Sequence, residues 1–240
     1  MTDTLFATSA DGTRIAYEAR GTGPALVFVD GAMCQRAMGP SRPLAETLAD
    51  RFTTICYDRR GRGESGAGAS DYSVEREVED LDAVIAAAGG HAHVFSASSG
   101  AALALRAARA GSAIDRLVAY EVPYILDDTH DPVAADLVDR VRAMVGSGDH
   151  GGAVKAFLRA VGAPAPMVAV MPLFPVWSKM KAVAHTLPYD LSFVAPFQRG
   201  ETLPEGEYAG VATPTLVIAG GKSPAYMKNA QAAIVDQLPH

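Results

Sequence analysis

Apolar runs and amphipathic segments alternate along the first half of the chain. Ala25–Val29 and residues 52–57 are continuous apolar runs, a pattern typical of strands that are buried on both faces of a sheet. Apolar positions within residues 74–88 recur at helical spacing, with Ser73 as a candidate N-cap. Strands that alternate with helices predict an α/β fold, in which helices cover both faces of a mostly parallel, doubly wound sheet.

The alternation stops between residues 122 and 210. This stretch contains helical patches at residues 133–145 and 154–161 among many prolines, and it has no apolar run typical of a buried strand. The sheet pattern returns at residues 213–219, and residues 225–238 again have the character of a helix. An interruption of this length predicts an insertion that covers one end of the sheet.

The predicted organisation is therefore one core, made of residues 1–121 and 211–240, with a helical cap at residues 122–210. Within the cap, the methionine-rich run at residues 167–177, together with Met180, has two interpretations. It lines an acyl- or ring-accepting pocket beneath the cap, or it forms the apolar core of the cap itself.

Composition and charge narrow the classes of partner. The 240 residues carry a formal net charge of −6, and 49% of them are hydrophobic, a balance typical of a globular protein. The sequence has no long basic run, so we expect no nucleic-acid partner.

Residues 163–177 are too short and too rich in proline to span a bilayer, and residues 1–12 lack the features of a signal peptide. We therefore expect no membrane partner and a cytoplasmic location. Cys34 and Cys56 lack metal-site spacing, and we expect no metal and no cofactor.

One short segment carries candidate catalytic chemistry. Residues 94–100 run from an apolar strand into a turn of small residues around Ser98, and a helix-forming segment follows. Small residues, here Ser96 and Gly100, are needed because the turn brings the strand and helix backbones close together. Such a turn exposes the Ser98 hydroxyl to a substrate, and the Ser99 backbone N–H points into the same space.

A second pattern, Gly61-x-Gly63-x-x-Gly66, has the spacing of a dinucleotide-binding loop, with Asp80 and Asp82 about 20 residues further on. A dinucleotide site requires the last glycine to open a helix and the acidic residue to end the next strand. Here a loop follows the last glycine and both aspartates fall inside a predicted helix. We therefore do not expect a nucleotide cofactor.

Three motifs in sequence order resemble the α/β-hydrolase superfamily. Residues 27–32 resemble its strand followed by His-Gly, with Asp30 in place of the usual histidine. Residues 58–65 resemble its D-x-R-G-x-G-x-S loop, and the serine turn lies at the expected distance after both. The resemblance covers the whole chain and implies the α/β-hydrolase fold with a helical cap.

By this resemblance Ser98 is the nucleophile, and the backbone N–H groups of Ala32 and Ser99 form the oxyanion hole. The position where the superfamily usually has its acid, after the strand at residues 213–219, contains no carboxylate. Some members place the acid one strand earlier, where this chain has Glu121. Glu121 either orients a histidine or only fixes the junction between core and cap.

The histidine of the superfamily follows its last strand, after the serine and the acid. The sequence ends at His240, roughly one strand too early for that role. We therefore expect the final strand, the final helix and the histidine to lie beyond these 240 residues, which would make the chain a fragment. His185 in the cap lines the pocket, acts as a substitute base, or is a hydrogen-bonded residue of the cap with no role in the site. The candidate pocket residues are Met33, Cys34, Tyr124, Trp177 and His185.

The predicted function is that of a serine hydrolase that acts on a small, mostly apolar ester or lactone-like substrate through an acyl-enzyme. The alternative is a catalytically dead or non-hydrolytic homologue that binds a ligand in the same pocket, because no histidine stands in the expected place. Residues 213–219 without a further strand would form an apolar sheet edge, so association into a homo-oligomer is also predicted.

Overall fold

The computed structural model describes residues 3–69 and 71–239, and their core is a seven-stranded, mostly parallel sheet. The strands are β1 (Leu5–Thr8), β2 (Arg14–Arg20), β3 (Ala25–Val29), β4 (Thr53–Tyr57), β5 (Ala92–Ala97), β6 (Ile114–Tyr120) and β7 (Thr215–Ile218). Their order is β1-β2-β4-β3-β5-β6-β7, in which β2 pairs antiparallel with β1 and β4 and the other pairs are parallel. The predicted α/β fold class is confirmed.

Helices cover both faces of this sheet. In the described part of the chain they are α1 (Ser41–Leu48), α2 (Val74–Ala87), α3 (Ser99–Ala110), α4 (Leu137–Gly146), α5 (His150–Ala160), α6 (Ala165–Val170), α7 (Val176–Val183), α8 (Leu187–Val194) and α9 (Ala225–Val235). Strand β3 shows the two-sided burial: Val27 and Val29 join the apolar cluster that contains α2 and α3. Leu26 and Phe28 point to the other face and join a cluster with Ala45 of α1.

Helices α4 to α8 lie between β6 and β7 in the sequence, and α4, α5, α7 and α8 share an apolar cluster. Val154, Met180 and Leu187 are among its buried members, and Met33 from the loop after β3 packs with them. The division of the chain into a core and a separate cap at residues 122–210 stays a prediction.

The methionine-rich run at residues 167–177 fits its interpretation as an apolar core of the inserted helices only in part. Met171 and Trp177 pack against the cluster of those helices, and Val168 is buried. Met180 is buried among the inserted helices, but Met167, Leu173 and Phe174 are exposed to solvent and lie neither in a core nor along the cavity described below. An apolar sequence predicts burial only where a second surface packs against it, and α6 with its following turn has no such partner over much of its length among the described residues.

Strand β7 is the edge of the sheet within the described residues, where it pairs only with β6. Its Leu216 is 58% exposed. A further strand and a further histidine stay predictions, and His240 lies outside the described residues.

In the part of the chain that the structure covers, no single helix is long and apolar enough to cross a membrane, although the bent pair Ala165–Leu173 and Val176–Phe197 passes that test jointly.

Candidate active site

Ser98 occupies a strained turn between β5 and α3. Its backbone has φ 56° and ψ −131°, a conformation with positive φ that non-glycine residues rarely adopt. The Ser98 N–H donates a hydrogen bond of 2.9 Å to the carbonyl of Tyr120, which ties the turn to the end of the neighbouring strand. The turn therefore holds Ser98 at the carboxyl ends of the parallel strands, where open α/β sheets bind their ligands.

Small residues around Ser98 are explained by the close approach of the loop after β3. A Cβ atom on Gly100 would lie 2.3 Å from the carbonyl oxygen of Val29, and one on Gly31 would lie 2.9 Å from the Ser98 Cβ. Ser96 is fully buried, and its hydroxyl donates to the Val118 carbonyl at 2.8 Å. The structure thus accommodates serine where glycine is usual, because the buried hydroxyl has an acceptor.

Two backbone N–H groups beside Ser98 are free to donate. Among the hydrogen bonds of the described residues, neither the Ala32 N–H nor the Ser99 N–H has a protein acceptor. Both residues line the same cavity as Ser98. Fixed backbone donors next to a nucleophile are the chemistry required to stabilise a developing oxyanion.

The cavity at Ser98 is small, about 30 Å³. Its lining is largely apolar and comes from the core loops and from the inserted helices: Ala32, Ser98, Ser99, Pro123, Phe157, Ala160, Val161, Asp190, Leu191, Val194 and Gln198. A cavity of this kind has room for a small group beside Ser98.

Asp190 of α8 is a charged group in this lining that the sequence analysis missed. Its Oδ1 accepts hydrogen bonds of 2.7 Å from Arg59 and from the Ser99 hydroxyl, and its Oδ2 accepts one of 2.5 Å from Arg62. Burial raises the pKa of Asp190, but the charges of Arg59 and Arg62 outweigh burial and hold the pKa below its ordinary range. Asp190 is therefore ionised, and it links the inserted helices to the serine turn.

The same two arginines also hold the loop that carries Ala32. Arg62 donates to the Gly31 carbonyl at 2.7 Å, and Arg59 donates to the Asp30 carbonyl at 3.3 Å. Both arginine side chains are about 1% exposed, and Arg59 also forms an ion pair of 2.6 Å with Glu77 of α2. The position of the candidate oxyanion loop is thus fixed by charge-assisted hydrogen bonds.

Glu121, the predicted acid, directly follows β6 and has a positive φ of 51°. Its Oε1 accepts a hydrogen bond of 3.0 Å from the Gly220 N–H and another from the Ser223 hydroxyl. Both donors lie in the loop after β7, where the family resemblance leads us to expect the acid. The carboxylate of Glu121 is therefore held against the loop after β7.

The structure places the five candidate pocket residues outside this cavity. Met33 packs among the inserted helices, and Trp177 lies beside Lys155, whose Nζ is 5.9 Å from the indole ring. Tyr124 is buried, with its hydroxyl 3.0 Å from that of Tyr208. These side chains are engaged in packing that the sequence pattern alone does not distinguish from pocket lining.

Cys34 and His185 are also engaged elsewhere. Burial raises the pKa of the Cys34 thiol to about 11, which leaves little thiolate at neutral pH. The Nε2 atom of His185 lies 2.8 Å from the carbonyl oxygen of Gly61. No histidine among the described residues lines the cavity, so none of them is in place as the base for Ser98. The described residues also contain no cluster of three side chains suited to a metal ion.

Comparison with known proteins agrees with this geometry. The sequence profile of the alpha/beta hydrolase family matches residues 21–239. A crystal structure of an alpha/beta hydrolase from Sphaerobacter thermophilus is 47% identical and superimposes with a TM-score of 0.89 over 98% of this chain and 89% of that one. A hydrolase from Pseudomonas aeruginosa, 23% identical, has a TM-score of 0.73 over 99% of this chain and 87% of its own, which shows a shared fold.

Among curated proteins, 2-(acetamidomethylene)succinate hydrolase from Mesorhizobium japonicum is 33% identical over 119 residues, which are 48% of this chain and 42% of that protein. The chain thus matches less than half the length of this curated relative. The family profile, however, covers most of the chain. The chain belongs to the alpha/beta hydrolase family.

Proposed function

We propose that this chain is a serine hydrolase that acts on a small, mostly apolar ester or lactone-like substrate. The observation that carries the proposal is the strained turn at Ser98, beside the free N–H groups of Ala32 and Ser99 in one largely apolar cavity. A serine hydroxyl becomes a nucleophile only when a base accepts its proton. The proposal therefore includes a histidine base from outside the described part of the chain, oriented by Glu121.

In the proposed reaction, Ser98 Oγ attacks the substrate carbonyl carbon while its proton passes to the base. The tetrahedral intermediate carries a negative oxygen, which accepts hydrogen bonds from the Ala32 and Ser99 N–H groups. Collapse of the intermediate breaks the bond to the leaving alkoxide, which takes the proton from the base, and an acyl-enzyme on Ser98 remains. Water then attacks the acyl carbon in the same way and releases the acid.

Arg59, Arg62 and Asp190 are positioning residues in this proposal. They contact the Asp30 and Gly31 carbonyls and the Ser99 hydroxyl, so they fix the two backbone donors, and Asp190 also lines the cavity. Their charges are compensated within the cluster, in which Glu77 also pairs with Arg59. An arrangement fixed in advance costs no reorganisation when charge develops on the substrate.

The small volume of the cavity supports a short acyl group. A small cavity favours a short substituent on the carbonyl, as in an acetyl ester. The curated relative from Mesorhizobium japonicum is named for a substrate that carries an acetamido group. We therefore expect acetyl esters to be preferred over esters of longer acids.

The test is steady-state hydrolysis of p-nitrophenyl acetate, butyrate and octanoate, together with a small lactone. We expect kcat/KM to be highest for the acetate and to fall by about a thousandfold or more in Ser98→Ala. Ser147→Ala, an exposed serine whose hydroxyl contacts only the Met144 carbonyl, serves as the matched control and should retain full activity.

The alternative function, a non-hydrolytic protein that binds a ligand at the same cavity, gives a different result. It predicts no turnover of any ester and binding of a phosphonate analogue of the acetate that is unchanged in Ser98→Ala. That combination would overturn the hydrolase proposal. Turnover that depends on Ser98 would exclude the alternative.

A further inference from the structure

The segment from α5 to the start of α8 has a charge distribution unlike that of the rest of the chain. Residues 150–189 contain no aspartate or glutamate, in a chain whose net charge is −6. They contain four cations, Lys155, Arg159, Lys179 and Lys181. None of these four forms an ion pair with another described residue.

The same segment contains several exposed large apolar side chains that are close together in the sequence. Leu173 is 83% exposed and Phe174 is 53% exposed, at the turn between α6 and α7. Met167, Val170 and Val176, on the flanking helices, are each between 38% and 46% exposed. We refer to residues 167–176 as the α6–α7 tip; it contains no charged residue.

The unpaired cations and the α6–α7 tip belong to one surface. Helix α5, which carries Lys155 and Arg159, packs against both α6 and α7. Lys155 lies over the ring of Trp177 at 5.9 Å, and Gly151 of α5 lies near both Trp177 and Lys181. The cations therefore lie on α5 and α7, helices that pack beside the exposed α6–α7 tip or continue from it.

We propose that the α6–α7 tip docks on the surface of an anionic lipid bilayer. An exposed apolar tip with an aromatic side chain, here Phe174, and lysines nearby is the arrangement by which peripheral proteins insert a few side chains below the headgroups. The unpaired cations are complementary in charge to anionic lipid headgroups. A basic protein partner would instead be attracted to the carboxylates that predominate on the rest of this acidic chain.

The proposal differs from the sequence-based expectation of no membrane partner, which rested on the absence of a spanning segment. Docking requires no span, because α6 and α7 lie at the surface and only exposed side chains enter the lipid. Val161, which directly follows α5, is 50% exposed and also lines the Ser98 cavity. The proposal concerns binding only and does not depend on the hydrolase function.

The test is sedimentation of the full chain with vesicles of phosphatidylcholine alone or mixed with phosphatidylglycerol. We expect binding to the mixed vesicles that weakens as salt is raised, and little binding to phosphatidylcholine alone. The double variant Leu173→Asp/Phe174→Asp should bind about tenfold or more weakly, because it removes the inserted apolar surface. Lys179→Glu/Lys181→Glu should weaken binding by about tenfold as well.

The matched control is Leu5→Asp/Val235→Asp, which changes two other exposed apolar side chains and should bind like the wild type. All substituted positions are exposed, and circular dichroism should show that each variant is folded. Absence of binding to the mixed vesicles, or equal binding by Leu173→Asp/Phe174→Asp, would overturn the proposal. A third result would also overturn it: the wild type is a dimer in light scattering, Leu173→Asp/Phe174→Asp is a monomer, and no vesicle binding is seen. The tip would then bind a second copy of the chain.

Discussion

One short loop carries three arginines, Arg59, Arg60 and Arg62, whose side chains are about 1% exposed. They form ion pairs in two different clusters. Arg59 and Arg62 share Asp190, and we call these three residues the site cluster. Arg60 pairs with Asp80 of α2 through two hydrogen bonds of 2.7 Å.

Arg60 also reaches Asp11, in the turn between β1 and β2, at 3.0 Å, and we call Arg60, Asp80 and Asp11 the hairpin cluster. The site cluster contacts the Gly31 carbonyl and the Ser99 hydroxyl beside the candidate nucleophile. The hairpin cluster has no such contact. Both clusters consist of buried arginines paired with carboxylates. Comparing variants of the two therefore distinguishes what a buried ion pair contributes to stability from what it contributes to the geometry of a site.

The largest effect is expected for Asp190→Asn. It leaves two buried arginines without their shared carboxylate, and breaking a buried ion pair costs about 4 kcal/mol of unfolding free energy. It also loosens the loop that carries Ala32, so kcat for p-nitrophenyl acetate should fall by about a hundredfold with little change in KM. Chemical denaturation and steady-state kinetics at a temperature where the variant is folded would measure both.

Asp80→Asn should change stability without changing the chemistry. Arg60 keeps Asp11 but loses its buried partner, which should lower the unfolding free energy by about 3 kcal/mol. For the folded enzyme, we expect kcat to stay within about twofold of the wild type, because the variant does not touch the oxyanion loop. An equal loss of kcat in Asp80→Asn and Asp190→Asn would show that stability, and not position, explains both.

Ser99→Ala removes one contact of the site cluster and keeps the backbone N–H. The Ser99 hydroxyl donates to an ionised carboxylate, so its loss should cost about 2 kcal/mol of unfolding free energy. The fall in kcat should be smaller than in Asp190→Asn, because both arginines keep their partner. A fall in kcat larger than that of Asp190→Asn would contradict the conclusion that Asp190 positions the loop mainly through the two arginines.

Acid should affect the site cluster in a defined direction. Because the folded pKa of Asp190 is lowered, its contribution to stability is complete above about pH 5 and is lost as the pH falls through the unfolded value of about 4 toward the folded one. The wild type should therefore lose unfolding free energy more steeply with acid than Asp190→Asn. Parallel curves from denaturant titrations between neutral and acidic pH would contradict this.

The elements that sequence could predict are those that local pattern determines. The buried runs of β3 and β4, the helix after Ser73 and the tight turn at Ser98 are each specified within a few neighbouring residues. Asp190 could not be predicted, because it lies 131 residues from Arg59 and no periodicity records that contact. Three arginines in a short loop were a signal that buried carboxylates exist, but not of where they come from.

The exposure of the α6–α7 tip was unpredictable for a similar reason. Its residues are as apolar as those of the core, and only the arrangement of α5 to α7 determines that Leu173 faces solvent. The placement of Glu121 shows the opposite case. Its position at the end of β6 was visible in the sequence, and the structure adds that its carboxylate reaches the loop after β7.

The most direct test of the central claim is covalent labelling of Ser98 by a fluorophosphonate, with the modified peptide identified by mass spectrometry. A folded chain that includes the proposed histidine base should carry a single adduct on Ser98, and the adduct should be absent after unfolding and in Ser98→Ala. The absence of an adduct on Ser98 from both the folded chain and any longer product of the same reading frame would contradict the account. An adduct on another serine would contradict it as well.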